Sequence, residues 1–233
     1  MLAANSERTR RMPDIDLFVT IDRYIDGLFA PEDEPLKAAL AEARAEGLPP
    51  IQVSPGQGKL LYLLAKLVGA RRILEVGTLG GYSTIWLARA LPADGFMVTL
   101  ELDPAHARVA AKSLHRARLL EQVELIVGPA LESLPTLVAR GAGPFDVVFL
   151  DADKVNYPNY YASIMQMVRP GSLVLADNVI RAGTVLDPQD DDPSAAAARD
   201  FNAMIAADER LEAIVLQQVG IKGHDGLAIA RVK

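Results

Sequence analysis

The sequence predicts a doubly wound α/β domain, a mostly parallel sheet with helices on both faces. Three observations carry that expectation. Short continuous apolar runs, "RILEV", "MVTLE", "VELIV", "FDVVFL" and "SLVLA", recur between residues 72 and 176, and strands without polar alternation belong in a sheet covered on both sides. Longer helical stretches separate them, near 82–90, 104–118, 130–140 and 157–168, as crossovers between parallel strands require. Finally, "LEAIVLQQV" and "GLAIARV" are joined only by "GIKGHDG", short enough for an antiparallel hairpin and unlike the plain dinucleotide fold.

The elements follow in order. Residues 14–29 place Ile15, Phe18, Ile21, Ile25 and Leu28 on one helical stripe, which predicts a helix docked by that apolar face. A second helix is expected from Pro35 to Glu46, ended by Gly47 and the Pro49–Pro50 pair, and a third from Pro55 to Val68. Residues 1 to about 50 then form a helical extension of one domain spanning 1–233. Beyond the fifth strand come a Gly-, Asp- and Pro-rich loop, 181–193, a helix over 194–207, and the hairpin.

Composition narrows the chemistry. The chain has 233 residues, half of them hydrophobic, a net charge of -6 and no dense block of Lys or Arg; this argues against a nucleic-acid partner. The only basic cluster, Arg8, Arg10 and Arg11, reads as a solvated tail. No cysteine is present, so disulfides, thiolate metal sites and thiol nucleophiles are excluded. Three scattered histidines make a His-rich zinc site a poor fit, so any metal must rest on carboxylates and amides. With no signal-peptide pattern and no membrane-length apolar run, the expectation is a cytoplasmic protein with no membrane partner.

The turn after the first strand reads "EVGTLGGYST", with glycines at 77, 80 and 81. Backbone stripped of side chains can approach a ligand, and in open parallel sheets ligands sit beyond the carboxyl ends of the strands. The dinucleotide fingerprint fails, because Leu79 and Tyr82 stand where it needs glycine; an NAD-dependent oxidoreductase is the weaker reading. Strand two ends in "TLELD", where Glu101 is placed to accept a ribose diol, while Asp103 before Pro104 reads as a helix N-cap. Glu75, inside the end of strand one, is either satisfied by backbone donors or faces a ligand cation.

"FDVVFLDADK" ends an apolar strand on Asp151, Asp153 and Lys154, and "GSLVLADN" ends the next on Asp177 and Asn178. Taken singly, "DADK" is a solvated strand end with a local ion pair and "DN" a turn. If the two strands are neighbours, their ends lie roughly 5 Å apart, and three oxygen donors meet at one point. Such a hard donor set suits Mg²⁺ best, with Mn²⁺ or Ca²⁺ as alternatives.

At these residues the chain resembles the cation-dependent O-methyltransferases, the group of the caffeoyl-coenzyme A and catechol enzymes and their small bacterial relatives. "RRILEVGTLGGYSTIWLARAL", "VTLELD", "FDVVFLDADK", "YPNYY", "LVLADNVIRAG" and "GHDGLAIARVK" carry the likeness from Ile51 to the C-terminus, with 26 positions from Asp151 to Asp177. The resemblance implies a Rossmann-like class I methyltransferase fold, a seven-stranded sheet with its last strand antiparallel. It implies S-adenosylmethionine (SAM) as cofactor, contacted by Val53, Glu75, Gly77, Ser83, Glu101, Ala130 and Asp151, with Glu101 on the ribose. It further implies a divalent cation on Asp151, Asp177 and Asn178, and Lys154 as the catalytic base. A metal chelated by two adjacent hydroxyls acidifies them, Lys154 takes the proton, and the oxyanion attacks the methyl group in line. The implied acceptor is a small catechol-like phenol, and the implied assembly a homodimer. A non-catalytic SAM-binding protein of the same fold is the alternative.

The match departs from the family at three points. Pro129 stands where relatives carry an acid beside the adenine. Arg181 stands where many place tryptophan or leucine near the acceptor; it either makes the pocket cationic, suiting a carboxylated phenol, or points to the surface. The acid that orients catechol in the animal enzyme has no counterpart here. Residues 186–193 read as a lid or a solvated connection, and Trp86 as facing the adenine or packing in the core.

Overall fold

In the computed structural model, which describes residues 15–189 and 191–233, the strand β1 (Arg72–Val76) is central to a seven-stranded sheet. On one side lie β2 (Phe96–Glu101) and β3 (Val123–Val127), on the other β4 (Val147–Leu150) and β5 (Leu173–Ala176), all parallel. β7 (Gly223–Val232) runs antiparallel beside β5, and β6 (Leu211–Gly220) forms the edge, giving the order β3-β2-β1-β4-β5-β7-β6. The sheet is therefore the seven-stranded, mostly parallel one implied by the resemblance.

Helices cover both faces: α1 (Ile15–Phe29), α2 (Glu34–Ala45), α3 (Pro55–Leu67), α4 (Tyr82–Ala88), α5 (Pro104–Arg116), α6 (Ala130–Ala139), α7 (Tyr157–Ile164) and α8 (Pro193–Ala207). Alternate strand residues feed two apolar layers. Leu74, Val98, Val148 and Val174 pack with Tyr157 and Phe201 on one face; Ile73, Met97, Val147 and Leu175 pack with Leu61 and Trp86 on the other. Helix starts follow a repeated signal, an oxygen-bearing cap followed within two residues by proline. Asp33, Ser54, Asp103 and Asp192 each accept a backbone N–H of the first turn they cap, and proline suits a position whose N–H has no helical acceptor.

Three expectations are corrected. Strand β4 begins only at Val147, because Asp146 turns its carboxylate back to accept the N–H groups of Arg71 and Arg72 at 2.8 and 3.0 Å. The β6–β7 connection shrinks to Ile221 and Lys222, since the strands pair through Gly220 and Gly223, the latter with φ +87°. The third concerns α1. It docks on α3 and β6 through the side carrying Asp22 and Asp26, while Ile21, Ile25 and Leu28 of its apolar stripe face outward. The reason lies in the hairpin turn, whose Ile221 N–H has no partner along the strands and donates to Asp22 Oδ2 at 2.8 Å. Periodicity defines a stripe; the tertiary partner decides which side of the helix it takes.

No helix among the described residues is long and apolar enough to cross a membrane. At the top of the sheet, Gly77 follows β1 with φ +103°, and a Cβ there would overlap the Asp151 carbonyl. Gly77→Ala is expected to lose roughly 3 kcal/mol of stability in urea unfolding, from overpacking against backbone plus positive-φ strain; a loss under 1 kcal/mol would show that the crossing of these strand ends is loose.

Candidate active site

The register sets a row of residues across the sheet. Val76 pairs with Leu100 and Leu150, and Leu150 with Ala176, so Gly77, Glu101, Asp151 and Asp177 all come one step later, at the carboxyl edge. Above that edge opens a cavity of ≈ 610 Å³. Val53, Gly77, Ser83, Glu101, Ala130, Asp151, Lys154 and Asn178 all line it, joined by His106, Asn156, Tyr82 and Tyr160. Glu75 and Asp177 stand behind its wall, both buried. Trp86 is buried against α3, edge-on to Tyr62 with ring centres 6.4 Å apart, and does not line the cavity.

Each carboxylate is handled differently. Glu75 is fully enclosed and accepts the hydroxyls of Ser83, Thr84 and Thr99 at 2.6–2.7 Å. Burial pushes its pKa up to about 7; the three hydroxyls oppose that rise and the charge of Asp151 adds to it. Thr78 in turn bonds to Thr99 at 2.6 Å. The donors on Glu75 are therefore side-chain hydroxyls and not the backbone groups expected from the sequence.

Glu101 pins the turn. Its Oε2 accepts the N–H groups of Thr78 and Leu79 at 3.2 and 2.7 Å, and its Oε1 that of Asp103 at 2.9 Å. A carboxylate has about four acceptor positions, so room remains on the cavity side, where His106 Nδ1 lies 3.4 Å from Oε1. This histidine escaped sequence reasoning; only its place in the first turn of α5, three positions past the Asp103 cap, could have signalled it.

On the other side of β1, Lys154 Nζ donates to Asp151 Oδ1 at 3.1 Å and lies 5.2 Å from the centre of the Tyr157 ring. The Tyr157 hydroxyl reaches back to the carbonyls of Leu150 and Asp177, at 3.0 and 3.1 Å, tying the ends of β4 and β5 together. Tyr160 donates to Asp153. Asp177 has the least compensation. Burial and then the charge of Asp151 push its pKa up to about 7, against the Asn178 N–H and the side chains of Gln57 and Lys154. Asn178, at φ +56°, is turned in the left-handed region so that it faces the cavity.

No trio of His, Cys, Asp or Glu that could hold a metal occurs among the described residues; the donor set at this point is two aspartates and an asparagine. Two acids crowding each other's charge fit a cation between them. Of the two readings of Arg181, the cationic pocket is not what the structure gives: the residue does not line the cavity, its N–H donates to Asp225 and its guanidinium lies 3.6 Å from Asp192. The loop over residues 186–193 supplies that partner and the cap of α8, and Leu186 in it is exposed.

A doubly wound sheet with an antiparallel seventh strand, and a cavity at its carboxyl edge floored by acids, defines the class I methyltransferase architecture. The family model described as O-methyltransferase matches residues 30–233, and the chain belongs to that family. It is 51% identical over 217 residues to a catechol O-methyltransferase of Niastella koreensis, covering 93% of this chain and 98% of that one. An O-methyltransferase from Bacillus cereus in complex with SAH superposes with a TM-score of 0.92 at 44% identity, covering 94% of this chain and all of that one. The TomG O-methyltransferase from Streptomyces achromogenes, involved in tomaymycin synthesis and in complex with SAM, gives 0.91 at 45% identity over 95% of this chain and 100% of its own. The NAD reading gives way to a methyltransferase.

The pKa of Glu75 sets a pH signature. Its folded-state value lies above the ordinary 4.5, so the stability it contributes is complete below about 4.5 and is lost as pH rises through about 7. Glu75→Gln is expected to flatten the pH dependence of urea unfolding between pH 4.5 and pH 8 by roughly 3 kcal/mol, at 1.36 kcal/mol per pKa unit. Parallel profiles for the two proteins would mean that Glu75 is ionised as easily in the fold as outside it.

Proposed function

We propose that the enzyme uses SAM and a divalent cation to methylate one hydroxyl of a small vicinal diphenol. The observation that carries this reading is the convergence, in one cavity, of the Glu101-pinned turn with Asp151, Lys154 and Asn178. The 51% identity to a protein named for catechol favours that acceptor class.

Val53, Gly77, Ser83 and Ala130 would hold SAM along the β1 and β3 ends, and the free acceptor position of Glu101 would take its ribose hydroxyl. Bound there, SAM supplies an electrophilic methyl group on a sulfonium, so that its C–S bond breaks as the acceptor's O–C bond forms. Asp151, Asp177 and Asn178 would hold the cation, which supplies positive charge that acidifies the acceptor hydroxyls. Mg²⁺ is the ion these hard oxygens suit best. As the neutral amine, Lys154 would receive the phenolic proton at Nζ. Its fixed position over Tyr157 keeps that atom at the cavity floor, where orienting donor and acceptor removes entropic cost.

Methyl transfer from SAM to catechol should therefore vanish with EDTA and return with Mg²⁺. Lys154→Ala should lower kcat at least ~100-fold, in the range of general-base losses, with SAM affinity within about twofold by calorimetry. Turnover unaffected by chelator removes the cation from the reading; undiminished turnover in the variant removes Lys154.

The acceptor cavity belongs, in this proposal, to a homodimer. On α1, Leu17, Ile21, Tyr24 and Leu28 form an exposed apolar stripe. The edge strand β6 exposes Ile214, Leu216 and Val219 beside it. Bare apolar surface of this extent favours a protein partner, and two-fold pairing of like faces is the commonest solution. Sedimentation should give twice the 25.1 kDa chain mass, and Tyr24→Asp with Leu28→Asp should give the monomer; a wild-type monomer at micromolar concentration ends this proposal.

A further inference from the structure

Lys222 is absorbed by none of the roles above. It occupies the two-residue turn between β6 and β7, and that turn is fixed from three directions. The preceding Ile221 N–H is held by Asp22 of α1 at 2.8 Å. Gly220 presses on the same carboxylate so closely that no Cβ fits. Two residues past the turn-closing Gly223, Asp225 Oδ1 accepts the N–H groups of Ile180, Arg181 and Gly226 at 3.1, 2.9 and 2.8 Å, joining the hairpin to the segment that leaves Asn178. The hairpin tip is therefore tied to the cation end of the cleft, opposite the Glu101 turn.

From this turn the side chain crosses to the 50s segment, where Nζ donates to the Pro50 carbonyl at 3.0 Å. The next residues, Ile51, Gln52 and Val53, line the cavity. An ammonium has three N–H donors, and the Pro50 bond uses one. Lys222 is exposed as a residue, yet its ammonium is crowded: desolvation lowers its pKa, while the charges of Asp151 and Asp177 pull it back up. The amino group thus sits within the field of the two aspartates. Lys154 is spent on Asp151 and Arg181 faces Asp192.

We propose that Lys222 is a specificity-determining residue that favours vicinal diphenols carrying an anionic substituent, a ring carboxylate above all, over neutral or cationic ones. The inference rests on the proposed diphenol methylation and adds the class of acceptor within it. Its physical basis is charge: with the proposed cation offsetting Asp151 and Asp177, a carboxylate substituent beside Ile51–Val53 would gain the attraction of the Lys222 ammonium and its two remaining N–H donors. A neutral diphenol gains nothing from it.

The test compares 3,4-dihydroxybenzoate with catechol on the Mg²⁺-loaded protein, by the ratio of kcat/KM values and by the ratio of Kd values measured calorimetrically with S-adenosylhomocysteine present. In Lys222→Ala both ratios should move about tenfold against the carboxylated ligand, the scale of one charge-assisted hydrogen bond. Lys222→Arg should restore most of the preference, and Lys222→Glu should shift it toward 3,4-dihydroxybenzylamine. Ratios unchanged in Lys222→Ala overturn the inference even if both ligands weaken, because general damage at the rim moves them together. No binding of 3,4-dihydroxybenzoate by the wild-type protein overturns it too. The binding ratio needs no turnover, so a protein that discriminates carboxylates through Lys222 but methylates neither ligand would refute the proposed reaction and not the role of Lys222.

Discussion

The in-register pairing of four parallel strands is the constraint on which the site depends. Because Val76, Leu100, Leu150 and Ala176 stand level across the sheet, the chain must leave all four strands at one height, and whatever residue comes next lands on the same shelf. In this protein those residues are Gly77, Glu101, Asp151 and Asp177. Three acids in one row at the edge of an apolar core are costly unless each is compensated. The glycine among them is there for space: the Asp151 carbonyl occupies the volume a side chain would need.

Compensation differs along the row, and the difference separates structure from function. Glu75, one level below, is fully answered by three hydroxyls, and Glu101 largely by three backbone N–H groups. These two acids build the turn and keep its glycines in place. Asp151 has a lysine. Asp177 has little more than the N–H of its own neighbour, with burial and Asp151 both resisting its ionisation. A fold that leaves its least compensated acid just behind the wall of this cavity offers a place for positive charge, and hard-oxygen donors would suit the proposed cation.

How much of this was legible in the sequence depended on the distance over which each signal acts. Strands, helix starts and the Asp103 cap follow from residues within a few positions of one another, and apart from the start of β4 and the length of the β6–β7 connection they appear close to where the pattern places them. That Asp151 and Asp177 end neighbouring strands was legible because each closes an apolar run in a parallel sheet. By contrast, the orientation of α1 turns on Asp22 meeting Ile221, 199 positions away, and no periodicity within the helix encodes that meeting. Arg181 reads as a pocket cation until Asp225 and Asp192 claim it. Glu75 kept two readings because its three hydroxyl donors come from α4 and β2, whose approach the local sequence does not reveal. His106 and Lys222 lie outside the motifs and are functional candidates only through what the fold sets beside them.

That division runs through the cavity itself. Its β1–β2 side is assembled from contiguous chain, the turn after β1 and the Glu101 end of β2, so nearly every contact there spans fewer than 25 residues. Its other side is assembled from pieces far apart: the Pro50 segment, the end of β5, and a hairpin tip held by the N-terminal helix. Changes in any one of those pieces leave the β1–β2 turn untouched, because no hydrogen bond joins that turn to the hairpin among the described residues. Such an architecture lets one side of a cavity vary by surface substitutions at turns while the other stays constant. Lys222, on a two-residue turn fixed by backbone contacts that do not depend on its identity, is the position proposed to read an acceptor's charge.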